Sequence, residues 1–127
     1  MSWDSIYVLT EVEFTAKCGA KCSAISKATA YGQMYCLQAE ALINCASRHV
    51  FASTIAAFAA LPASTRYLLS EVTSDIAAIY AIEYDLSGFT TRTEAEDMIN
   101  ILRDAALRGL SILRDKKTQT FLMTGTY

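Results

Sequence analysis

Apolar residues recur at helical spacing along most of the chain. From about Ala30 to Phe51, the residues Met34, Leu37, Ala41, Leu42, Cys45 and Ala46 fall three or four apart and predict one apolar helical face. From about Ser64 or Thr65 to Tyr84, Leu68, Leu69, Val72, Ile76, Ile79 and Tyr80 make a second face, with Glu71, Ser74 and Asp75 off it. From Thr91 to about Lys116, Ala95, Met98, Ile99, Leu102, Ala106, Leu110 and Leu113 make a third, with Arg103, Asp104, Arg108, Arg114 and Asp115 on the other side.

Start and stop residues sharpen these boundaries. Thr10-Glu11-Val12-Glu13 is a capping-box pattern, in which a Thr hydroxyl and a Glu carboxylate satisfy orphan amides at a helix start. It predicts a short helix through Phe14 that ends at Cys18-Gly19, where glycine supplies the C-cap. Cys22 to Thr29 reads as a connector, and Asp85-Leu86-Ser87-Gly88 as a turn. Ser53-Thr54 is placed to cap a short helix IAAFAAL that Pro62 ends. Thr91-Arg92-Thr93-Glu94 is a second capping box, and Lys116 and Lys117 suit the C-terminal dipole of the helix it opens.

The pattern changes after Lys117. Residues 118–127 are rich in β-branched and aromatic side chains and carry no charge. Thr is a weak helix former, so an extended tail is expected, with a frayed terminus as its plainer alternative. Leaving Phe121, Leu122, Met123 and Tyr127 in water is costly, which points to a strand that pairs with another chain. The expected architecture is all-α: a four-to-five-helix bundle over residues 1–117 with an extended tail over 118–127.

Composition narrows function. The chain has 127 residues, room for one domain. Its net charge of −2 steers it toward neither nucleic acid nor an anionic membrane. The longest apolar-rich stretch, Ile55 to Pro62, falls far short of the ~18 residues a membrane span needs. The first residues carry acids and no basic run, which argues against a secretory signal.

The sequence carries no recognisable catalytic constellation. There is no glycine-rich phosphate loop, no GxSxG and no HExxH. Cys18 and Cys22 are close, but a zinc site wants a second pair; Cys36 and Cys45 read as small buried hydrophobes of a reducing cytosol. Cys45 and the sole histidine, His49, stand one helical turn apart with no third group to orient them. Carboxylates at Glu11/Glu13, Glu71/Asp75 and Glu94/Glu96/Asp97 lack the Glu-x-x-His partner of a di-metal bundle. No catalytic residue, cofactor or metal is expected, and the reading is of a structural protein.

The order of motifs resembles the head–tail connector (adaptor) proteins of tailed bacteriophages. Leu9-Thr10-Glu11-Val12-Glu13-Phe14-Thr15-Ala16 is similar to their opening "L-T-x-x-E-[FY]" helix before a glycine. Leu37-Gln38-Ala39-Glu40-Ala41-Leu42-Ile43-Asn44 with Arg48 follows their "A-S-x-x-I-D" helix, with Asn44 in place of the usual Asp. Leu61-Pro62-Ala63-Ser64-Thr65-Arg66 matches a "[LI]-P-x-x-[VL]-[KR]" step, followed by Asp75-Ile76-Ala77. Arg103-Asp104-Ala105-Ala106-Leu107 through Lys117 looks like the final amphipathic helix. The likeness spans roughly residues 6 to 117 and rests on order and spacing.

The resemblance implies a virion protein of the neck, assembled in the host cytoplasm. It implies a homo-oligomeric ring, a dodecamer in that family, beneath the portal, with subunit contacts expected at Arg103, Arg108 and Arg114. Portal, stopper or tail-terminator proteins would be its partners, with the tail residues Phe121, Leu122, Met123 and Tyr127 gripping a neighbour. Double-stranded DNA would pass without sequence-specific binding; a wall dense in Lys and Arg would hold it back. The alternative is a cytosolic helical-bundle interaction or regulatory module that takes a partner helix in an apolar groove. An enzyme using its thiols is a third class, which predicts loss of activity on alkylation.

Overall fold

The computed structural model of the protein describes residues 5–8, 11–19, 29–84 and 91–124, apart from the side chains of Glu11, Thr29, Lys117 and Thr124. Among these residues there are six helices and no strand: α1 (Glu11–Cys18), α2 (Thr29–Ser47), α3 (Ile55–Ala59), α4 (Ala63–Tyr84), α5 (Arg92–Arg114) and α6 (Lys116–Thr124). The all-α class stands. Expectations for Thr10, the 22–28 connector, the turn at Asp85 and Tyr127 lie outside the described residues.

Local chemistry sets the helix ends. Gly19 closes α1 at φ 79°, its N–H donating to the Thr15 carbonyl at 3.2 Å. Thr54 and Thr91 cap α3 and α5: each hydroxyl oxygen accepts the amide three residues on, from Ala57 and Glu94, at 3.1 Å. The Pro62 carbonyl accepts the Arg66 amide at 3.1 Å, so the proline that stops α3 also opens α4.

α4 is the hub, touching α1, α2, α5 and α6. A helix covered on several sides must be small or apolar all round. Every residue from Val72 to Ala78 is buried accordingly. Ser74 and Asp75, expected off the face, are among them. Ser74 Oγ donates to the Ser70 carbonyl at 2.6 Å, and Asp75 pairs with Lys17 of α1 at 3.3 Å.

On α5 the expected stripe is the buried one: Ala95, Leu102, Ala106 and Leu113 are inside, with Met98, Ile99 and Leu110 half-buried. Gly109 joins them because α4 comes close; a Cβ there would run into Val72 Cγ2.

α2 forms where expected but faces the other way. Its buried positions are Gly32, Tyr35, Cys36, Ala39, Glu40, Ile43 and Ser47, while Met34, Leu37, Ala41, Leu42 and Cys45 point outward. The chain carries two stripes on this helix, and the inward one is disguised by Gly32, Glu40 and Ser47. Gly32 lets the Phe14 ring lie against the backbone, 2.7 Å from where a Cβ would stand. The helix ends at Ser47, earlier than its periodicity suggests, because Arg48 turns into the left-handed region at φ 57°.

The tail is corrected as well. Residues 118–124 are not extended but lie in α6, divided from α5 by Asp115 at ψ 115°. Tertiary bonds override the weak helix propensity of Thr. Gln119 Nε2 donates to the carbonyls of Leu113 and Ser47 at 2.8 and 3.1 Å, and Thr65 Oγ1 donates to the Leu122 carbonyl at 2.6 Å. Leu122 enters the core beside Tyr7, Ile43, Phe51 and Leu69. Lys116, expected to complete the preceding helix, instead donates Nζ to the Ser47 carbonyl at 2.9 Å and helps close α2.

Candidate functional site

The orientation of α2 creates the site, and a buried carboxylate fixes that orientation. Glu40 Oε1 accepts the Ile6 amide at 2.7 Å, the Tyr7 amide, and the Ser5 hydroxyl at 3.2 Å. The amides of Ile6 and Tyr7 have no helix or strand to join, so a buried acceptor is the means of satisfying them. Burial pushes the Glu40 carboxyl above its ordinary range, and the three hydrogen bonds oppose that rise. Next along the helix, Asn44 Oδ1 accepts the Tyr7 hydroxyl at 2.6 Å, and the Tyr7 oxygen accepts the Phe51 amide at 3.2 Å. With Glu40 and Asn44 both engaged by the N-terminal segment, the opposite side of α2 faces solvent.

That outward side is unusual in its chemistry. Glu40 is the one charged residue among the 19 of α2, and it is inside. The helix therefore offers water no charge. Met34, Leu37 and Leu42 are each more than 40% exposed. A shallow groove of about 440 Å³ runs along it, lined by Ala30, Gln33, Met34, Leu37, Gln38 and Ala41. The Tyr31 ring meets the Tyr84 ring at 5.4 Å and ties one edge of this face to the end of α4. Depletion of charge around apolar anchors is the signature of a protein-binding patch rather than of a solvated helix.

The expected subunit contacts sit on a different surface. Arg103, Arg108 and Arg114 are exposed on α5 among outward-facing Ile101, Leu107 and Ile112. Arg103 Nη2 donates to Asn100 Oδ1 at 2.8 Å. Of the tail residues, Phe121 is exposed, Met123 half-buried and Leu122 buried, and Tyr127 lies outside the described residues. Consecutive helical residues point in different directions. Leu122 packs into the protein's own core, while Phe121 is left toward solvent.

Among the described residues the cysteines lie apart from His49 and differ in exposure. Cys18 and Cys36 are buried, whereas Cys45, expected inside, is exposed. Burial, with Glu40 and Glu13 nearby, pushes the Cys36 thiol to about 12, far from a thiolate at neutral pH. His49 is off the helix that carries Cys45: the Arg48 turn sets its ring edge-on against Phe51 at 4.7 Å. Among the described residues no cluster of three His, Cys, Asp or Glu side chains is placed to hold a metal ion, and no helix is long and apolar enough to cross a membrane.

The outward α2 face escaped the periodicity argument, which assigned its residues to the core. One signal was present: a helix of this length with a single charged residue has no natural solvent side. Comparison of the chain with protein-family models, with curated proteins and with solved structures returns no match.

Proposed function

We propose that the protein is a structural subunit of a multi-copy assembly: a ring-forming head–tail adaptor of a tailed virion. In this reading it docks beneath a portal, prolongs the DNA channel and offers the platform for stopper or tail proteins. The observation that carries the assembly role is the uncharged, apolar outer face of α2. The virion setting rests on the motif order from Leu9 to Lys117. A ring needs two different patches on each subunit, one for each neighbour. α2 supplies an apolar one, and α5, with Arg103, Arg108 and Arg114 among Ile101, Leu107 and Ile112, supplies a mixed one.

A second reading shares the α2 groove: an interaction module in which an amphipathic helix of another protein fills it. It is favoured by the groove alone and predicts no incorporation into particles. Leu37→Glu separates the two. Leu37 is exposed, so a charge there spares the core while spoiling the face. In virions made with either chain, quantitative mass spectrometry should find many copies of the wild type and loss of the Leu37→Glu variant, with leakage of DNA. Incorporation of the variant at wild-type copy number would defeat the assembly reading.

A further inference from the structure

The residues that line the α2 groove have a register of their own. Ala30, Met34, Leu37 and Ala41 follow one another at intervals of four, three and four, which is the a/d seam of a coiled coil. In that register Gln33 and Gln38 flank the two central layers, one on each edge, while the outer flanking positions are Tyr31 and Glu40, of which Glu40 is turned into the core. The seam runs for about 17 Å of helix axis. It reads the same from either end: small, large, large, small, with an uncharged amide on each flank. An interface around a twofold axis must be complementary to itself. An antiparallel pairing about the point midway between Met34 and Leu37 sets Ala30 against Ala41 of the second copy and Met34 against its Leu37. Met and Leu have nearly equal volumes, so the two central layers match. The alanines at both ends let the helices approach closely, and antiparallel alignment opposes their dipoles favourably.

Charge selects the same occupant. Partner helices are usually chosen by salt bridges from the flanking positions. Here the positions beside the central layers are glutamines, and the one charged flanking residue, Glu40, is buried against Ser5, Ile6 and Tyr7, so the face gives a charged partner nothing to pair with and sets no like charges together when the chain meets itself. We infer that the outward seam of α2 takes a second copy of this chain, forming an antiparallel, twofold helix pair in the free protein. The inference rests on reading the outer face of α2 as the assembly surface, and it names what covers that face before assembly. A twofold contact closes on itself and cannot propagate a ring. The pair therefore shields the apolar face and must open when the subunit docks.

The test is sedimentation equilibrium of the full chain, with circular dichroism as a control for folding. Met34 and Leu37 are exposed in the single chain, so substitution leaves the fold intact. The wild type should show twice the 13.9 kDa chain mass. Met34→Lys alone and Leu37→Glu alone should each sediment as monomers, because each buries an unpaired charge in two layers of the pair. An equimolar mixture of the two variants should return to the dimer mass. In the antiparallel pair, the ammonium that Met34→Lys introduces on one chain would face the carboxylate that Leu37→Glu introduces on the other, and the remaining central layer is native. A monomeric wild type, a dimer that survives either single change, or a mixture that stays monomeric would each overturn the inference. The outcomes separate it from the assembly reading: a monomeric wild type whose Leu37→Glu form is nevertheless lost from virions defeats the pair alone. A dimer that behaves as described while Leu37→Glu enters virions normally defeats the assembly reading alone.

Discussion

Thr65 on α4 donates its hydroxyl to the main-chain carbonyl of Leu122 on α6 at 2.6 Å, and both residues are buried. Helix α6 is thereby part of the bundle. Deleting residues 118–127 removes the Leu122 side chain, strips Gln119 from the Ser47 carbonyl and leaves the Thr65 hydroxyl without its acceptor. Leu122→Ala alone should cost ~2–5 kcal/mol, and the deletion more. Urea denaturation followed by circular dichroism measures both. A truncated chain as stable as the whole would show that α6 contributes nothing to the core.

The sequence was most legible where one stripe of apolar residues opposed one of charges. α5 is such a helix, and of its five buried residues all but Gly109 (Ala95, Leu102, Ala106 and Leu113) are ones its periodicity names. α2 was legible as a helix but not in its orientation, because both of its sides are apolar. The choice between them is made by Glu40 and Asn44, whose partners Ser5, Ile6 and Tyr7 lie over thirty residues away. α6 failed for the same reason in another form. Threonines locally favour extension, and the bonds to Thr65 and Ser47 that reverse the balance span over fifty residues. A carboxylate ordinarily belongs outside, and nothing local to Asp75 shows otherwise, since its partner Lys17 is on another helix.

Glu40 gives stability a pH dependence of a definite sign. Burial raises its folded-state pKa above the ordinary 4.5, a value the unfolded chain keeps. Across the interval between the two, the folded protein holds more protons than the unfolded one, so stability falls as pH rises through that interval. Asp75, raised chiefly by burial from 3.8, adds a slope of the same sign. Glu40→Gln keeps an acceptor oxygen for Ser5, Ile6 and Tyr7 and loses the titration. Its stability should therefore fall less steeply between pH 4 and neutrality. Glu40→Ala should cost ~1–3 kcal/mol more than Glu40→Gln, because it takes the acceptor from three donors, those of Ser5 and Tyr7 buried. Equal pH slopes for wild type and Glu40→Gln would show that this carboxyl is not shifted.

Lys17 is the charge that faces the buried Asp75 carboxylate, at 3.3 Å. Removing one member of such a pair costs more than removing both, because the survivor is left uncompensated in a dry site. Lys17 is partly solvated, which lowers the figure. Lys17→Met should destabilise by ~1–3 kcal/mol, and adding Asp75→Asn should restore part of the loss. A double-mutant cycle in guanidinium reads the coupling. Strict additivity would show that the two side chains do not interact.

Gly109 tests how closely α5 lies on α4. On propensity alone, Gly109→Ala in the middle of a helix should stabilise by about 1 kcal/mol. The structure reverses that sign. An added methyl would collide with Cγ2 of Val72, a side chain that is itself buried. A valine in a helix is nearly locked in one χ1 rotamer, so it cannot swing aside as a longer side chain would. The helices must separate or Val72 must strain, and overpacking of this kind costs ~1–3 kcal/mol. Gly109→Ala should therefore lower the melting temperature. Val72→Ala alone should also destabilise, by leaving a void. The two together should fare better than their separate losses imply, since the new methyl on α5 occupies space the valine gave up. Thermal melts of the four proteins in the cycle measure this directly. A stabilising Gly109→Ala would place α5 further from α4 than the Val72 contact requires, and with it the outward position of Ile101, Leu107 and Ile112 on the far side of the same helix.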